Sequence, residues 1–321
     1  MKLRGIEFGS VLGAAGVQGV FGEGYRHHKL LNAFGLGPNF TDCTFVSKTT
    51  TLDARLGNMP MKKDGITPKE IVPKCIKTYF TKGIMLNAVG LSGPGARRLL
   101  NTGRWQGITK PFFISFMALG KTQLERIHEL RLFIDMLKSY MRGFSAPFGL
   151  QINLSCPNVG LHLSTLTSDA RNTLLHASAL KVPLMLKFNA LVSVADVKEI
   201  AADERCDAIC VSNTIPWGQL PDKIDWKKLF GTDVSPLAKY GGGGLSGKPL
   251  LPIVTDWVRR ARDIGITKPI NAGGGILYPD DVDTLYNAGA SSVFIGSVAT
   301  LRPWRAQGII QRAHKLFKDH S

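Results

Sequence analysis

Gln151-Ile152-Asn153-Leu154-Ser155-Cys156-Pro157-Asn158 is the stretch of this chain that indicates the fold most directly. Residues 149–154 form a short apolar run that ends in a group of polar side chains and a proline, as a buried strand does where it leaves a sheet. The end of this strand would present two carboxamides, a hydroxyl and a thiol together. Because the loop ends of strands carry the active site in α/β barrels, the stretch predicts a candidate site as well as a strand.

The same residues also have an ordinary structural interpretation. A free cysteine is often just a small buried apolar residue, and asparagines beside a proline commonly form turns. An isolated Asn-x-x-Cys pattern therefore does not establish a catalytic site, and the rest of the chain has to supply the argument.

Composition restricts the class of protein. With 321 residues, 44% hydrophobic content and no uninterrupted apolar run of about 18 residues, a soluble globular protein is expected. Residues 1–13 lack the pattern of a secretory signal. The cysteines form no Cys-x-x-Cys pair, which argues against a disulfide framework or a zinc site and favours a reducing, cytoplasmic location. They stand at positions 43, 75, 156, 206 and 210.

The formal net charge of +16 is unusual. Such a charge can indicate a nucleic-acid or anionic membrane partner. Here the basic residues form small groups spread along the chain, such as Arg97-Arg98, Lys227-Lys228 and Arg259-Arg260. This spacing favours a solvated basic surface with no clear nucleic-acid or membrane partner, although an anionic small-molecule substrate would be attracted by the field.

Eight short apolar runs alternate with segments that carry helical signals. Residues 122–140 have apolar positions near the helical period, and Pro279 is followed by two acids, as at a helix start. This alternation predicts a closed (β/α)₈ TIM barrel, with residues before 44 as an N-terminal extension and residues 215–245 as a long insertion after strand six. We expect residues 1–321 to form a single domain. The runs are residues 44–48, 84–89, 112–118, 149–154, 184–188, 208–212, 269–272 and 292–295.

The ends of these runs carry polar side chains or glycines that would meet at one face of the barrel. Backbone N–H groups approach a phosphate closely only where no Cβ intrudes, so the glycines predict a phosphate-bearing ligand near the last two strands. The polar ends are Lys48, Asn87, Asn153, Lys187 and Asn213-Thr214; the glycine-rich loops are residues 241–247, 273–275 and 296–297.

Taken together, these positions resemble the dihydroorotate dehydrogenase family of FMN-dependent barrels. The resemblance covers nearly the whole chain, and its most specific motif is Asn153-Leu-Ser-Cys-Pro-Asn158. The other matching motifs are Gly13-Ala-Ala-Gly16, Ser47-Lys48-Thr49, Arg55-Leu-Gly-Asn58, Asn87-Ala-Val-Gly-Leu91, Lys187, Ser212-Asn213-Thr214, Gly243-Gly-Leu-Ser-Gly247, Gly274-Gly-Ile276 and Ile295-Gly-Ser297.

The resemblance implies oxidation of dihydroorotate to orotate in pyrimidine biosynthesis, with FMN as cofactor and no metal. Its catalytic base would be Cys156, which removes a proton from ring carbon five while a hydride leaves carbon six for flavin N5. The implied substrate-binding residues are Asn87, Val89, Gly90, Leu91, Asn153, Asn158, Asn213 and Thr214. The implied FMN-binding residues are Ala15, Gly16, Lys48, Thr49, Asn153, Lys187, Ser246, Gly247, Gly274, Gly275, Gly296 and Ser297.

The subclass stays open. Cys156 and the absence of an apolar N-terminal helical segment resemble the soluble class 1 members, whereas Thr214 after Asn213 and the Gly-Leu-Ser-Gly pattern at 244–247 resemble the quinone-using group. The electron acceptor could therefore be fumarate, quinone, or NAD through an electron-transfer subunit. Soluble members are typically homodimers, so a homodimer is expected.

Three other interpretations remain. A dihydropyrimidine dehydrogenase-like enzyme would share FMN and the cysteine, but Asn158 and the lack of iron–sulfur cysteines argue against it. A dihydrouridine synthase would suit the basic charge, but Asn213 stands where that family has histidine. A catalytically silent barrel that binds flavin or nucleic acid is the third, and retention of the thiol, the lysines and the asparagines argues against it.

Overall fold

Seven parallel strands form one curled sheet in the order β3-β13-β12-β9-β8-β7-β6. The computed structural model describes residues 1–154 and 163–318 of the chain. These strands are almost wholly buried, as expected where helices cover a parallel sheet. They are β3 (Val11–Gly13), β6 (Phe112–Phe116), β7 (Phe148–Asn153), β8 (Leu184–Phe188), β9 (Ala208–Val211), β12 (Ile270–Ala272) and β13 (Ser292–Ile295).

Residues 44–50 close this sheet into a barrel. Leu12 of β3 forms a parallel bridge with Thr44, and Phe113 of β6 forms one with Val46. The hydrogen bonds agree, since Gly13 N donates to Thr44 O at 2.9 Å and the N–H of Ser47 donates to Phe113 O at 2.9 Å. The segment is therefore the eighth member of the ring, and the predicted (β/α)₈ barrel is confirmed.

Two details of the predicted strand assignment are wrong. Residues 84–89 are not a barrel strand, because β5 (Ile84–Asn87) lies in a separate antiparallel sheet. The barrel strand that the prediction lacked is β3, in the region before residue 44 that was predicted to be an N-terminal extension. The hairpin β1 (Lys2–Leu3) and β2 (Ile6–Glu7) alone lies before the barrel, and Leu3 packs in a cluster with Phe113 and Met185.

The second sheet is antiparallel, with the order β10-β11-β5-β4. It joins β4 (Ile76–Tyr79) and β5 to β10 (Ile215–Pro216) and β11 (Gly244–Gly247), which flank the predicted insertion. Its apolar side packs with residues of the insertion, including Ile215, Trp226 and Phe230. The insertion after strand six thus folds onto the strand that carries Asn87 rather than standing alone.

The helices lie outside the parallel strands. The predicted helix at 122–140 is confirmed as α3, which starts with a capping box between Thr122 and Glu125. The helix predicted after Pro279 is confirmed as α8. The helices are α1 (Arg26–Ala33), α2 (Ala96–Asn101), α3 (Gln123–Tyr140), α4 (Leu163–Ala177), α5 (Val194–Ala201), α6 (Trp226–Phe230), α7 (Leu250–Asp263), α8 (Asp280–Asn287), α9 (Val298–Leu301) and α10 (Ala306–Lys318), with short 3₁₀ helices at Met141–Gly143, Ser178–Leu180, Ala238–Tyr240 and Pro303–Arg305.

Within the described ranges, no helix combines the length and apolar character needed to cross a bilayer. That residues 1–321 form one domain stays a prediction.

Candidate active site

The carboxyl ends of β7, β8 and β9 bring three predicted site residues together. Asn153 and Lys187 are direct partners in the register of β7 and β8. Asn213 follows β9, its side-chain Nδ2 donates to Asn153 Oδ1 at 2.7 Å, and its backbone N–H donates to Phe188 O at 3.0 Å. The two carboxamides therefore form one fixed polar group beside the Lys187 strand.

Asn87 reaches the same region from the antiparallel sheet. It pairs with Gly244 of β11, and a Cβ on Gly244 would collide with the Thr214 hydroxyl. Thr214 is held in turn, since its carbonyl accepts a hydrogen bond from Asn189 Nδ2 at 2.7 Å. Asn87, Asn213 and Thr214 are each partly exposed, so their polar groups remain accessible.

The loop after β5 contains the predicted Val89, Gly90 and Leu91. Its backbone is held by two residues absent from the predicted site, Asn58 and Ser92. Asn58 N donates to Val89 O at 2.9 Å, its Nδ2 donates to Ala88 O at 2.8 Å, and Ser92 Oγ donates to Val89 O at 3.1 Å. Asn58 ends the Arg55-Leu-Gly-Asn58 motif, so the motif was available as a signal for it.

Lys48 lies between this loop and the Gly16 turn. Its Nζ donates to the carbonyl of Ser92, and a Cβ on Gly16 would lie 3.1 Å from Lys48 Cγ. Gly16 has φ of +87°, so the close approach and the backbone conformation both require glycine. Burial lowers the pKa of Lys48 to about 8. Ala15 is partly buried on the same turn, and Thr49 shares a 2.9 Å hydrogen bond with Ser115 inside the barrel.

Lys187 is only 6% exposed, and burial lowers its pKa. In the described part of the chain its ammonium has no hydrogen-bond acceptor and no carboxylate partner; it lies 5.1 Å from the centroid of the Phe294 ring. A buried cation without a counter-ion is costly unless a ligand supplies negative charge. Lys187 is therefore suited to face an anionic group.

The predicted phosphate loops also converge. A Cβ on Gly275 would lie 2.8 Å from Gly247 O and 2.7 Å from the backbone N of Leu251, at the first turn of α7. The carboxyl ends of β12 and β13 are adjacent, which brings the loop at 274–275 beside residues 296–297. Ser246 is partly exposed on β11, with its hydroxyl 3.4 Å from Met85 O.

These loops fit a phosphate group. The backbone N–H groups of Gly274, Gly275, Gly296 and Ser297 donate to no group within the described residues. Unpaired backbone donors in glycine loops form anion-binding concavities. Together with two cations at the mouth, they match the donor set that a flavin mononucleotide requires, and the site carries no feature that opposes it.

Cys156 and Asn158 lie outside the described residues. The described chain stops at Leu154, whose N–H donates to Lys187 O at 3.0 Å, and resumes at α4. Their predicted roles are therefore neither supported nor opposed by geometry.

Comparison with known proteins identifies the family to which this chain belongs. A model of the family described as dihydroorotate dehydrogenase matches residues 1–316. The chain belongs to the dihydroorotate dehydrogenase family. Its similar relatives include the protein named dihydroorotate dehydrogenase B (NAD(+)), catalytic subunit, of Geobacillus sp. (strain WCH70), 27% identical over 298 residues, which cover 91% of this chain and 82% of the relative. The protein of the same name from Bacillus thuringiensis (strain Al Hakam) is 26% identical over 312 residues, covering 94% of this chain and 86% of the relative.

Solved structures agree on the fold. The crystal structure of DHODH from Eimeria tenella in complex with ferulenol superposes with a TM-score of 0.66 at 19% identity, covering 100% of this chain and 88% of that one. The ligand-free structure from the same organism gives a TM-score of 0.64, also at 19% identity, covering 99% and 87%. The family model over residues 1–316 confirms the family resemblance drawn from the sequence motifs, and the solved structures confirm the fold.

Proposed function

We propose that this chain oxidises dihydroorotate to orotate with FMN as its cofactor. The observation that carries the proposal is the convergence of Asn153, Asn213 and Asn87 beside Lys187 at the mouth of a barrel of this family. Amide side chains offer both donors and acceptors, which matches the edge of a pyrimidine ring built of amide groups. Asn158, Thr214 and the backbone of residues 89–91 would complete the substrate pocket.

The cofactor would be held by Lys48, Lys187 and the four unpaired backbone donors, with Ala15, Gly16, Thr49, Asn153, Ser246 and Gly247 around it. FMN supplies the two-electron acceptor for the hydride that leaves the substrate. The two lysines place positive charge where negative charge develops on reduction, which stabilises the reduced form.

Cys156 is the proposed general base. A thiol titrates near 8.5 in the absence of neighbours, so it can take the proton from ring carbon five when a neighbour lowers its pKa or the proton is relayed onward. Replacement of Cys156 by Ala should abolish turnover while FMN stays bound. The matched control is Cys206→Ala, since Cys206 is buried two residues before β9 and its thiol donates to the carbonyl oxygen of Ala208.

The proposed electron acceptor is NAD, reached through a partner subunit. This rests on the names of the similar relatives, which describe an NAD(+) enzyme and a catalytic subunit. We also propose a homodimer. If the acceptor assignment is right, the isolated chain reduces its flavin with dihydroorotate but does not reduce NAD by itself.

The decisive experiment is an anaerobic titration of the purified protein with dihydroorotate, followed by bleaching of the oxidised flavin absorbance. Bleaching at stoichiometric substrate supports both the cofactor and the substrate. A bound flavin that dihydroorotate leaves oxidised, but that dihydrouracil bleaches, would replace the substrate in this proposal. A protein that takes up no FMN on reconstitution would overturn it.

A further inference from the structure

The loop between β3 and α1 carries a tyrosine that has no role in the proposed reaction. Tyr25 directly precedes α1, and its hydroxyl donates to the carbonyl oxygen of Gly16 at 2.6 Å. The N–H of Gly19 donates to the same oxygen at 3.1 Å, so both lone pairs of the Gly16 carbonyl are used. Because Gly16 is among the residues proposed to line the cofactor site, the phenol fixes the peptide plane of a turn at that site.

The ring of Tyr25 is held by two histidines. His27 stacks on it with 5.6 Å between ring centroids, and His28 meets it edge-on at 5.5 Å. His28 is only 4% exposed, and the centroids of the two histidine rings are 4.3 Å apart. Within the described residues, His27 Nε2 and His28 Nδ1 are buried and have no hydrogen-bond partner. The histidines therefore serve as packing surfaces, which keep the Tyr25 hydroxyl directed at Gly16.

The turn at Gly16 packs directly on Lys48. A Cβ on Gly16 would lie 3.2 Å from Lys48 Cβ and 3.3 Å from Lys48 Cα, so the two segments are in contact along the backbone. The N–H of Lys48 donates to Gly19 O at 3.0 Å, which ties the same residue to the other end of the turn. The ammonium of Lys48 donates to the carbonyl of Ser92. The Lys48 side chain is therefore fixed at its base by the turn and at its tip by Ser92.

We propose that Tyr25 is a positioning residue: its hydroxyl holds the Gly16 turn against Lys48 and thereby fixes the place of the Lys48 cation beside the cofactor. Without the hydroxyl, the Gly16 carbonyl keeps only the bond from Gly19, and the turn is free to move away from Lys48. A cation stabilises the charge that develops on a reduced flavin best when its position is fixed beforehand. The effect on the flavin rests on the proposed binding of FMN, whereas the hold on the turn does not.

The first test needs no cofactor. In the apo-protein, the amides of Gly19 and Lys48 should exchange hydrogen about three- to tenfold faster in Tyr25→Phe than in wild type, because the turn loses one neutral hydrogen bond. The matched control is Tyr140→Phe, which removes a phenol hydroxyl that links α3 to Asn101 at the end of α2, and it should leave both amides unchanged. Equal exchange in wild type and Tyr25→Phe overturns the proposal. Faster exchange spread evenly over the barrel strands also overturns it, since that result shows only a loss of global stability.

The second test uses the protein reconstituted with FMN. In Tyr25→Phe the limiting rate of flavin reduction by dihydroorotate should fall about three- to tenfold, while the substrate concentration at half-maximal rate stays within about twofold, because Tyr25 is not among the proposed substrate-binding residues. If Tyr25 acts through Lys48, the same substitution should have no further effect in the Lys48→Met background. Equal slowing in both backgrounds would mean that Tyr25 acts by another route, and that outcome contradicts the proposal.

The two tests distinguish this proposal from the proposed function. A wild-type protein that takes up no FMN contradicts the proposed function, yet hydrogen exchange still decides whether Tyr25 holds the turn. Faster exchange in Tyr25→Phe together with an unchanged reduction rate would show that the turn does not position Lys48 for the flavin, and the proposal would then be wrong.

Discussion

The interface between α3 and α4 holds a largely buried arginine and the interior of the barrel a buried lysine, and the surroundings of the two cations are opposite in character. Arg126 on α3 donates to the Asp169 carboxylate on α4 and to the carbonyls of Gly120 and Lys121, each at 3.1 Å. Lys187 inside the barrel has no carboxylate or hydrogen-bond acceptor among the described residues, and the centroid of the Phe294 ring lies 5.1 Å from its Nζ. A cation whose charge is matched within the protein holds structure together. One that is left unmatched is available to a ligand.

The largest effect is expected at the matched cation. Asp169→Asn removes the counter-ion of Arg126, whose side chain is only 14% exposed, so the free energy of unfolding should fall by about 3–5 kcal/mol. The double variant Arg126→Met/Asp169→Leu should cost less, because no charge is then left unpaired. Urea unfolding measures both. The exposed pair Asp135–Lys138 is the control, and Asp135→Asn should change the free energy by less than about 1 kcal/mol.

Lys187→Met should affect activity rather than stability, in contrast to Asp169→Asn. Met keeps the length of the side chain without its charge, so the apo-protein should be as stable as wild type or more so. Flavin reduction by dihydroorotate should slow by about 10²–10³-fold, as when one preorganised group facing developing charge is lost. Anaerobic stopped-flow absorbance gives the rate, with the exposed Lys198→Met as control. A reduction rate within threefold of wild type would show that the charge of Lys187 does not serve flavin reduction.

Lys48 is intermediate between Arg126 and Lys187, because its ammonium donates to a neutral carbonyl. The pH dependence of stability should reveal its burial. Its folded pKa of about 8 is below the unfolded value of about 10.4, so the folded state gives up its proton first, and the destabilisation caused by burying the charged Lys48 declines as pH rises from 8 to 10. Buried thiols act the other way, since burial raises the pKa of Cys206 to about 12 and of Cys210 to about 11. The contribution of Lys48 is therefore measured as the difference in unfolding free energy between wild type and a Lys48 variant.

We expect the unfolding free energy of the wild-type apo-protein to rise relative to Lys48→Met by roughly 1 kcal/mol per pH unit over this window. Urea unfolding at pH 7.5, 8.5 and 9.5 measures it. Parallel pH profiles for the two proteins would show that Lys48 is not buried enough to be perturbed.

The smallest effect concerns exposed cations at the rim. Residues 55–110 carry eleven Lys and Arg and only two acids. About a sixth of the chain therefore carries a formal charge of +9, out of a net charge of +16 for the whole chain. The fold brings part of this charge together: Arg98 donates to Lys63 O at 2.8 Å, and Arg55 N donates to Gly93 O at 2.8 Å, near the 89–91 loop.

Arg55→Glu/Lys63→Glu should lower kcat/KM for dihydroorotate about two- to fivefold at low salt, with the difference vanishing in high salt. Lys198→Glu/Lys315→Glu carries the same charge change on α5 and α10, and an equal loss there would exclude local steering.

Most of the barrel strands could be predicted from the sequence because they lie within mainly apolar runs of at least four residues. Strand β3 could not, since Val11–Gly13 is too short to show a pattern and is surrounded by glycines. The prediction places residues 84–89 in the barrel because they also form an apolar run. An apolar run shows that a strand is buried but does not show which sheet buries it.

The site could be predicted where it follows from strand ends. Asn153, Lys187 and Asn213 converge because parallel strands end at one face. The supports of the site depend on contacts between distant segments, such as Lys48 with Ser92, and sequence spacing carries no information about them.

The position of Asn87 on the antiparallel sheet also bears on how such an enzyme could diversify. This sheet is assembled from residues 76–87 and the flanks of the 215–245 insertion, so one edge of the proposed substrate pocket lies outside the barrel sheet. Exchanging both segments together between relatives would transplant that edge while leaving the barrel strands and the glycine loops at 273–275 and 296–297 intact. Under the proposed function, exchange of these two segments would change the substrate side of the site without altering any strand of the barrel.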